Sequence, residues 1–168
     1  MEGSRVLLFD RLVDENPGEK KELRSYRVLD RNGLIQSVQR ELARLLNTRR
    51  NSSAILDPAK ATVLDYGIPD FSALSAASPT DCQQLSSLIA SAITAFEPRL
   101  VSVRVELTAS IIDHRAVNGV IYGLLKIGPL MEPVAFPVLL HRESGTIEIL
   151  AAPQLGDVVR EAQKPLPL

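Results

Sequence analysis

The sequence predicts an α+β domain, in which two main helices pack on a small antiparallel sheet of three to four strands. Within residues 32–47 and 79–96, apolar side chains recur every three or four positions, which is the period of a helix buried on one face. From Val101 onward they alternate with polar side chains, which is the period of a strand with one dry face. This order, helices first and strands afterwards, is typical of folds whose helices cover one face of an antiparallel sheet.

Composition limits the function classes. The chain has 168 residues, of which 45% are hydrophobic, so it can form one domain with a real core. Its net charge of −1 gives no general attraction to nucleic acid or to an anionic membrane, and no stretch approaches the ~20 uninterrupted apolar residues of a membrane span. Cys82 is the only cysteine, which excludes an intrachain disulfide and a zinc site built on several thiolates. We therefore expect a cytoplasmic protein without a cofactor, a nucleic-acid partner or membrane insertion.

The N-terminus is predicted to be a docking segment followed by a linker. Residues 6–13 are mostly apolar and include Leu8, Phe9 and Leu12. Residues 14–24, DENPGEKKELR, are polar with a Pro-Gly pair at their centre, as expected of a solvated linker. The apolar segment is therefore expected to pack on the domain or on a partner.

Three regions follow from this pattern. Residues 1–29 form the N-terminal docking segment and linker, and residues 30–152 form the main domain. Residues 153–168 contain prolines and few periodic apolar positions, so they are expected to form a flexible tail.

The first helix is predicted from about Asn32 to Asn47. Asp30 or Asn32 can cap its start, since both side chains accept hydrogen bonds from the first turn. One face collects the apolar residues Leu34, Ile35, Val38, Leu42, Leu45 and Leu46. Residues 48–79 are irregular, with glycine and prolines as breaks, and are expected to form an ordered loop over the core. The loop residues expected to be buried are Leu64, Tyr66, Ile68, Phe71 and Leu74.

The second helix is predicted to begin after Ser78. Serine is a favoured N-cap, Pro79 suits the first helical position, and Asp81 lies three residues after the serine. The buried face is expected to be Leu85, Leu88, Ile89, Ala92, Ile93 and Phe96. The helix must stop by Glu97, because Pro98 disfavours the α region for the residue before it.

Four strands are predicted after the second helix. They cover about 101–107, 117–127, 134–140 and 146–150, and the letters RESG connect the last two as a hairpin. Pro137 has no amide hydrogen, so it is expected to face an edge or a bulge. An open sheet of this size leaves edges, and an edge invites pairing with another chain.

The residues that carry chemistry do not form a recognisable catalytic site. His114 is expected in a turn between two strands and His141 at the end of a strand, both at the surface, and no phosphate-binding glycine motif occurs. Glu97 with Glu106 or Asp113 is the best pair for a glycosidase, which needs its carboxyl groups ~5–9.5 Å apart. Nine strand-like steps put Glu97 and Glu106 roughly 30 Å apart, so we expect no enzymatic activity.

The helix-to-strand junction is the remaining candidate site. Glu97 and Arg99 flank Pro98, which fixes its own backbone angle. One interpretation is a helix stop with two solvated charges. The other is a rigidly presented pair of opposite charges that makes charge-assisted hydrogen bonds to a partner. The residue types alone leave both interpretations open.

Five segments resemble a known family, the baseplate-wedge proteins of contractile injection machines, and within it the type VI secretion baseplate subunit TssE. They are LFDRL at 8–12, SVQRELARLLNTRR at 37–50, VLDYGIPDFS at 63–72, FEPRL at 96–100 and SGTIEIL at 144–150. The resemblance spans about residues 5–150, which makes residues 30–152 the baseplate-wedge domain. Relatives are often called lysozyme-related, but no catalytic pair here supports that label.

The resemblance implies a structural subunit that joins other wedge subunits to the first ring of the contractile sheath and helps nucleate the sheath. It implies that Glu97, Pro98 and Arg99 support the sheath contact. It also implies a place in the bacterial cytoplasm, at the inner-membrane face through the baseplate. We also assign Leu8, Phe9 and Leu12 to docking against another wedge subunit.

Two alternatives remain open at this point, a peptidoglycan hydrolase and a small adaptor that binds a regulatory protein. Charge reversal at Arg99 is expected to leave the protein folded and to abolish sheath nucleation. A junction buried inside the monomer, together with capping of every edge strand, would rule out this role.

Overall fold

The fold was analysed in a computed structural model, which describes residues 4–5, 28–52, 54–55, 57–75, 78–109 and 116–150. These residues form two α-helices and eight strands, in chain order β1 (Ser4–Arg5), β2 (Val28–Leu29), α1 (Arg31–Asn47), β3 (Arg49–Arg50), β4 (Ile68–Pro69), α2 (Pro79–Phe96), β5 (Leu100–Ala109), β6 (Ala116–Ile127), β7 (Leu130–His141) and β8 (Thr146–Ile149). The predicted α+β class, with two helices and a four-stranded antiparallel sheet, is confirmed.

The main sheet has the order β5-β6-β7-β8, and every neighbouring pair is antiparallel. β6 and β7 pair along their whole lengths, whereas β8 pairs only with the last four residues of β7. Within the described part of the chain, β5 and β8 are therefore the edges of this sheet. Two shorter pairs lie outside it, an antiparallel β1–β2 pair and a parallel β3–β4 pair.

The core lies between the two helices and one face of the sheet. Its members include Leu34, Val38 and Leu42 of α1, Ile89 and Ile93 of α2, and Val105, Ile121 and Phe136 of the sheet. All of these are at most 8% exposed. Aliphatic side chains thus supply most of the burial that holds helices and sheet together.

Both helices begin with the predicted kind of cap. Asp30 accepts a hydrogen bond from the Gly33 amide at 2.7 Å, so Asp30 and not Asn32 caps α1. Ser78 caps α2 by accepting from the Asp81 amide at 3.3 Å, and Pro79 occupies the first turn. The side chain of Asp81 in turn accepts from the Ser75 amide at 2.8 Å, which fixes the chain as it enters the helix.

The described part of the loop between the helices lies over the core as expected at four of the five predicted apolar positions. Ile68 and Phe71 are buried, and Tyr66 and Leu74 are partly buried against the core. Leu64, however, is 89% exposed, so its predicted burial is wrong. The cause is a short 3₁₀ helix, Val63–Asp65, which is capped by Thr62 and turns this leucine outward.

Gly67 lets this loop return close to the end of α1. Its φ of +108° lies in the region that favours glycine. A Cβ atom there would lie 2.4 Å from the carbonyl oxygen of Thr48, which is too close for any side chain. That oxygen accepts a hydrogen bond from the Ile68 amide at 3.0 Å, so β4 is tied directly to the residue that follows α1.

The two prolines of β7 lie where the sheet needs no donor. Leu150 donates its amide to the Pro137 carbonyl at 2.9 Å, so the backbone of Pro137 faces the β8 side just beyond the last paired residue of that strand. Pro133, four residues earlier, faces the same side by the two-residue period. The edge position expected for Pro137 is confirmed, and both prolines weaken the exposed half of β7 as a pairing edge.

Candidate partner-binding surface

The junction between α2 and β5 is a tight turn built around Pro98. The Glu97 amide still donates to the Ile93 carbonyl at 2.8 Å and so ends the helix. The Leu100 amide donates back to the Glu97 carbonyl at 3.1 Å and closes the turn. β5 therefore starts at Leu100 with a direction fixed by the end of the helix.

Glu97 and Arg99 bind each other with three hydrogen bonds. The Arg99 guanidinium donates to the Glu97 carboxylate in a bidentate arrangement, Nε to Oε1 at 2.8 Å and Nη2 to Oε2 at 2.6 Å. The Arg99 backbone amide adds a third bond to Oε1 at 3.1 Å. This planar fork gives strong, geometrically specific bonds, which a lysine at the same position would not reproduce.

The pair is also connected to the rest of the domain. Nη1 of Arg99 donates to the hydroxyl of Ser37 on α1 at 2.8 Å, and Ser37 is fully buried. The carbonyl of Arg99 accepts from the Lys126 amide of β6 at 2.9 Å. One arginine therefore connects the first helix, the end of the second helix and the first two strands of the sheet.

Glu97 and Arg99 are buried, whereas both interpretations of the sequence placed their charges at the surface. Glu97 is 2% exposed and Arg99 is 8% exposed, whereas Pro98 between them faces solvent. The charged groups can point inward because they make hydrogen bonds with each other and with Ser37. These bonds offset the free-energy cost of removing the charges from water. The pair is therefore neither solvated nor presented to a partner, and only the proline lies at the surface.

This finding changes the outcome expected for charge reversal at Arg99. A glutamate there would bury a second carboxylate beside that of Glu97, with no cation to compensate either. This burial argues against the expectation that the reversed variant stays folded, and we predict a lower free energy of unfolding for it than for the wild type. The junction is thus buried inside the monomer. The role in sheath assembly then depends on whether an edge strand of the sheet is open.

The outer edge of β5 is open in the described residues. The Lys126 amide donates to the Arg99 carbonyl, so the backbone groups of the even-numbered residues of β6 point toward β5. Their partners on β5, which are Arg104, Glu106 and Thr108, point their backbone groups toward β6 in return. The backbone groups of Val105 and Leu107, between these partners, point to the outside of the sheet. The described residues supply no hydrogen bond to them, so no described part of the chain caps this edge strand.

A bulge bends the start of this edge. The register between β5 and β6 shifts between Val101 and Arg104, and Ser102 has a φ of +54°. Such a bulge increases the local twist and changes the direction of the strand. Beyond it, the exposed face carries Arg104, which pairs with Glu106 at 2.8 Å and lies 5.4 Å from the ring centre of Tyr122.

The described residues contain no arrangement that fits catalysis. Both oxygens of Glu97 are held by Arg99 and the residue is buried, so it cannot reach a sugar substrate. Burial and the neighbouring Asp81 raise the pKa of Cys82, which is the opposite of what a nucleophilic thiol needs. His141 is partly exposed, 3.4 Å from Glu148, and no cluster of metal-ligating side chains occurs in this part of the chain.

Several candidates from the sequence lie outside the described residues. These are the docking residues Leu8, Phe9 and Leu12, the loop residues Asp113 and His114, and the tail 153–168. Conversely, sequence reasoning missed Ser37, which completes the binding of Arg99. Its only sequence signal is its position beside Val38 on the buried side of a helix, where an apolar residue would be usual.

No helix among the described residues is both long and apolar enough to cross a membrane. The chain is similar to one chain of a solved structure described as the baseplate complex from the type VI secretion system, with 18% identity and a TM-score of 0.45 over 64% of this chain and 94% of that chain. No curated protein matches it. The family model of the baseplate wedge protein gp25 matches residues 32–129, which is more than half of the sequence and includes α2, β5, β6 and nearly all of α1. The chain therefore belongs to the gp25 family of baseplate wedge proteins.

Proposed function

We propose that this chain is a structural subunit of a type VI secretion baseplate that joins wedge subunits to the first ring of the contractile sheath and helps nucleate sheath assembly. Membership of the baseplate wedge family supports the structural role. The five segments that resemble TssE support the choice of a secretion machine. The protein works without catalysis in this proposal, at the cytoplasmic face of the bacterial inner membrane.

The open edge of β5 is the observation that carries the proposal. Val105 and Leu107 direct their amide and carbonyl groups away from the sheet, and the described residues leave them unpaired. A strand from a sheath subunit would satisfy these groups by extending the sheet, which gives affinity through main-chain hydrogen bonds. The exposed Arg104 and Glu106 on the same strand would contribute to the choice of partner.

Glu97, Pro98 and Arg99 support this contact indirectly in the proposal. The buried pair fixes the point at which β5 leaves α2 and joins the sheet. Movement of the baseplate would then be transmitted to the edge strand through a rigid turn. These three are positioning residues, and the sheath itself meets the backbone of β5.

The N-terminal apolar segment supplies the second contact. Leu8, Phe9 and Leu12 dock on another wedge subunit, so that the two partners bind different parts of the chain. The net charge of −1 fits a protein that has no nucleic-acid partner.

Co-purification with the tagged full-length chain tests the proposal. We expect it to capture wedge and sheath subunits together. Joint replacement of Leu8, Phe9 and Leu12 by alanine should remove the wedge subunits and keep the sheath subunit. Capture of a regulatory protein alone would favour the adaptor, and capture of neither baseplate nor sheath subunits would contradict the proposal.

A turbidity assay on purified cell walls tests the absence of catalysis. The protein is expected to leave the walls intact at any concentration. Clearing by the wild-type protein, lost in Glu97→Gln, would instead establish the hydrolase alternative.

A further inference from the structure

The edge strand β8 differs from β5 in what lies along its outer side. Leu150 donates to Pro137 of β7, so by the two-residue period Glu148 and Thr146 also face β7. The backbone groups of Ile147 therefore point outward, at the position where an added strand would bind.

Asn47, the last residue of α1, occupies this position. Its Oδ1 accepts from the Ile147 amide at 2.9 Å, and its Nδ2 donates to the Ile147 carbonyl at 2.8 Å. A side-chain amide carries one acceptor and one donor group in the same plane, as a peptide group does. Asn47 thus makes the two bonds that one residue of a neighbouring antiparallel strand would make.

Arg49 covers the next outward-facing position, in the turn that leads into β8. Its Nη2 donates to the carbonyl of Gly145, two residues before Ile147. Nη1 donates to the Leu46 carbonyl at 2.9 Å, and the guanidinium lies 4.8 Å from the ring centre of Phe71. With three contacts holding it, this arginine is a fixed part of the edge.

We propose that Asn47 and Arg49 close the outer edge of β8 to strand addition, so that a partner strand can join the sheet only at β5. The inference rests on the proposed function for the identity of the partner, a sheath strand, but the closure itself is a property of this chain alone. It determines specificity, because a sheet with two open edges would accept strands on both sides and could extend without limit. Here Asn47 at the end of α1 and Arg49 just beyond it supply side chains where a further strand would lie.

Amide hydrogen exchange in the isolated full-length protein tests the closure without any partner. Asn47→Ala should accelerate exchange of the Ile147 amide by about fivefold or more, since that amide loses its only described acceptor. Gln39→Ala is the matched control: Gln39 is another α1 amide, which reaches the Leu150 carbonyl at 3.5 Å and does not contact Ile147. It should leave Ile147 unchanged. Equal exchange of Ile147 in wild type and Asn47→Ala would overturn the inference.

The same measurement with added sheath subunit tests the choice of edge. In the wild type, Val105 and Leu107 amides should become protected, and Ile147 exchange should not change. In the double variant Asn47→Ala with Arg49→Ala, the added subunit should slow exchange of the Ile147 amide as well. In that variant, the added subunit could protect the β5 amides and leave the Ile147 amide exchanging rapidly. The closure would then have no role in the choice of edge, and the inference would fail. If β5 is never protected in any variant, the proposed function fails, and the partner-free comparison still decides whether Asn47 closes the edge.

Discussion

At the scale of single residues, the junction shows how a charged pair can be structural. Glu97 and Arg99 are close in sequence, but the proline between them directs both side chains to the same inner side of the turn. The bidentate geometry and the bond to Ser37 satisfy the groups that burial removes from water. The pair therefore matters for stability through what its loss would leave unpaired.

Arg99→Met should lower the free energy of unfolding by about 3–5 kcal/mol, because it leaves the Glu97 carboxylate buried without a cation. Urea denaturation followed by circular dichroism measures the change. Arg104→Met is the matched control, since Arg104 pairs with Glu106 at the surface, and we expect it to cost less than about 1 kcal/mol.

The double variant Glu97→Met with Arg99→Met separates the pair's own value from the penalty of an unpaired charge. It should be more stable than Arg99→Met alone, because no charge remains buried. Similar stability of Arg99→Met and Arg104→Met would show that the pair is not buried in solution.

At the scale of elements, capping and register position the edge strand. α2 begins at a serine cap and ends at Glu97, so its length sets where β5 starts. α1 is capped by Asp30. Its first residue, Arg31, donates two hydrogen bonds from Nε to the Glu132 carboxylate on β7, at 2.7 Å and 2.9 Å. Both helices are thereby fixed along their axes relative to the sheet.

Ser78→Ala should lower the free energy of unfolding by about 1 kcal/mol, because the Asp81 amide loses its capping acceptor. Ser87→Ala is the control on the same helix. The Ser87 hydroxyl only donates back to the Gln83 carbonyl, so its loss should have little effect. Equal thermal stability of both variants would contradict the capping role.

The contact between α1 and β7 should depend on pH. The hydrogen bond and charge of Arg31 lower the pKa of Glu132 below its ordinary value of 4.5, against the opposing effect of burial. A lowered folded-state pKa stabilises the fold above pH 4.5, and this contribution is lost as the pH falls through the folded-state pKa. It should be small, because Arg31 is largely exposed.

Titration of the Glu132 carboxyl by NMR measures this directly. Arg31→Gln should raise the pKa of Glu132 toward its ordinary value. An unchanged titration in that variant would show that the contact does not form in solution.

The elements could largely be predicted from the sequence, whereas their contacts could not. Periodicity and caps predicted both helices and all four strands of the main sheet, because these signals are local. The burial of Glu97 and Arg99 could not be predicted, since it depends on Ser37, 62 positions away in sequence from Arg99. The predicted burial of Leu64 was wrong for a local reason, because the residue lies in a 3₁₀ turn capped by Thr62. The sequence signal of this cap is too short to outweigh the apolar pattern.

At the scale of the whole molecule, the sheet is asymmetric. One edge, β5, is ten residues long and has outward backbone groups that the described residues leave open. The opposite edge, β8, is four residues long, and the side chain of Asn47 at the end of α1 binds its outward backbone groups at Ile147. In the proposed function, this asymmetry would let the subunit start a neighbouring polymer on one side only.

Sheath assembly seeded by baseplates that carry Leu107→Pro, compared with Leu107→Ala, tests this central claim most directly. Both substitutions remove the same partly buried side chain, but only proline removes the outward amide, and the ladder to β6 does not use that amide. We predict that Leu107→Ala baseplates nucleate sheaths and that folded Leu107→Pro baseplates do not. Normal nucleation by Leu107→Pro would contradict strand addition at β5.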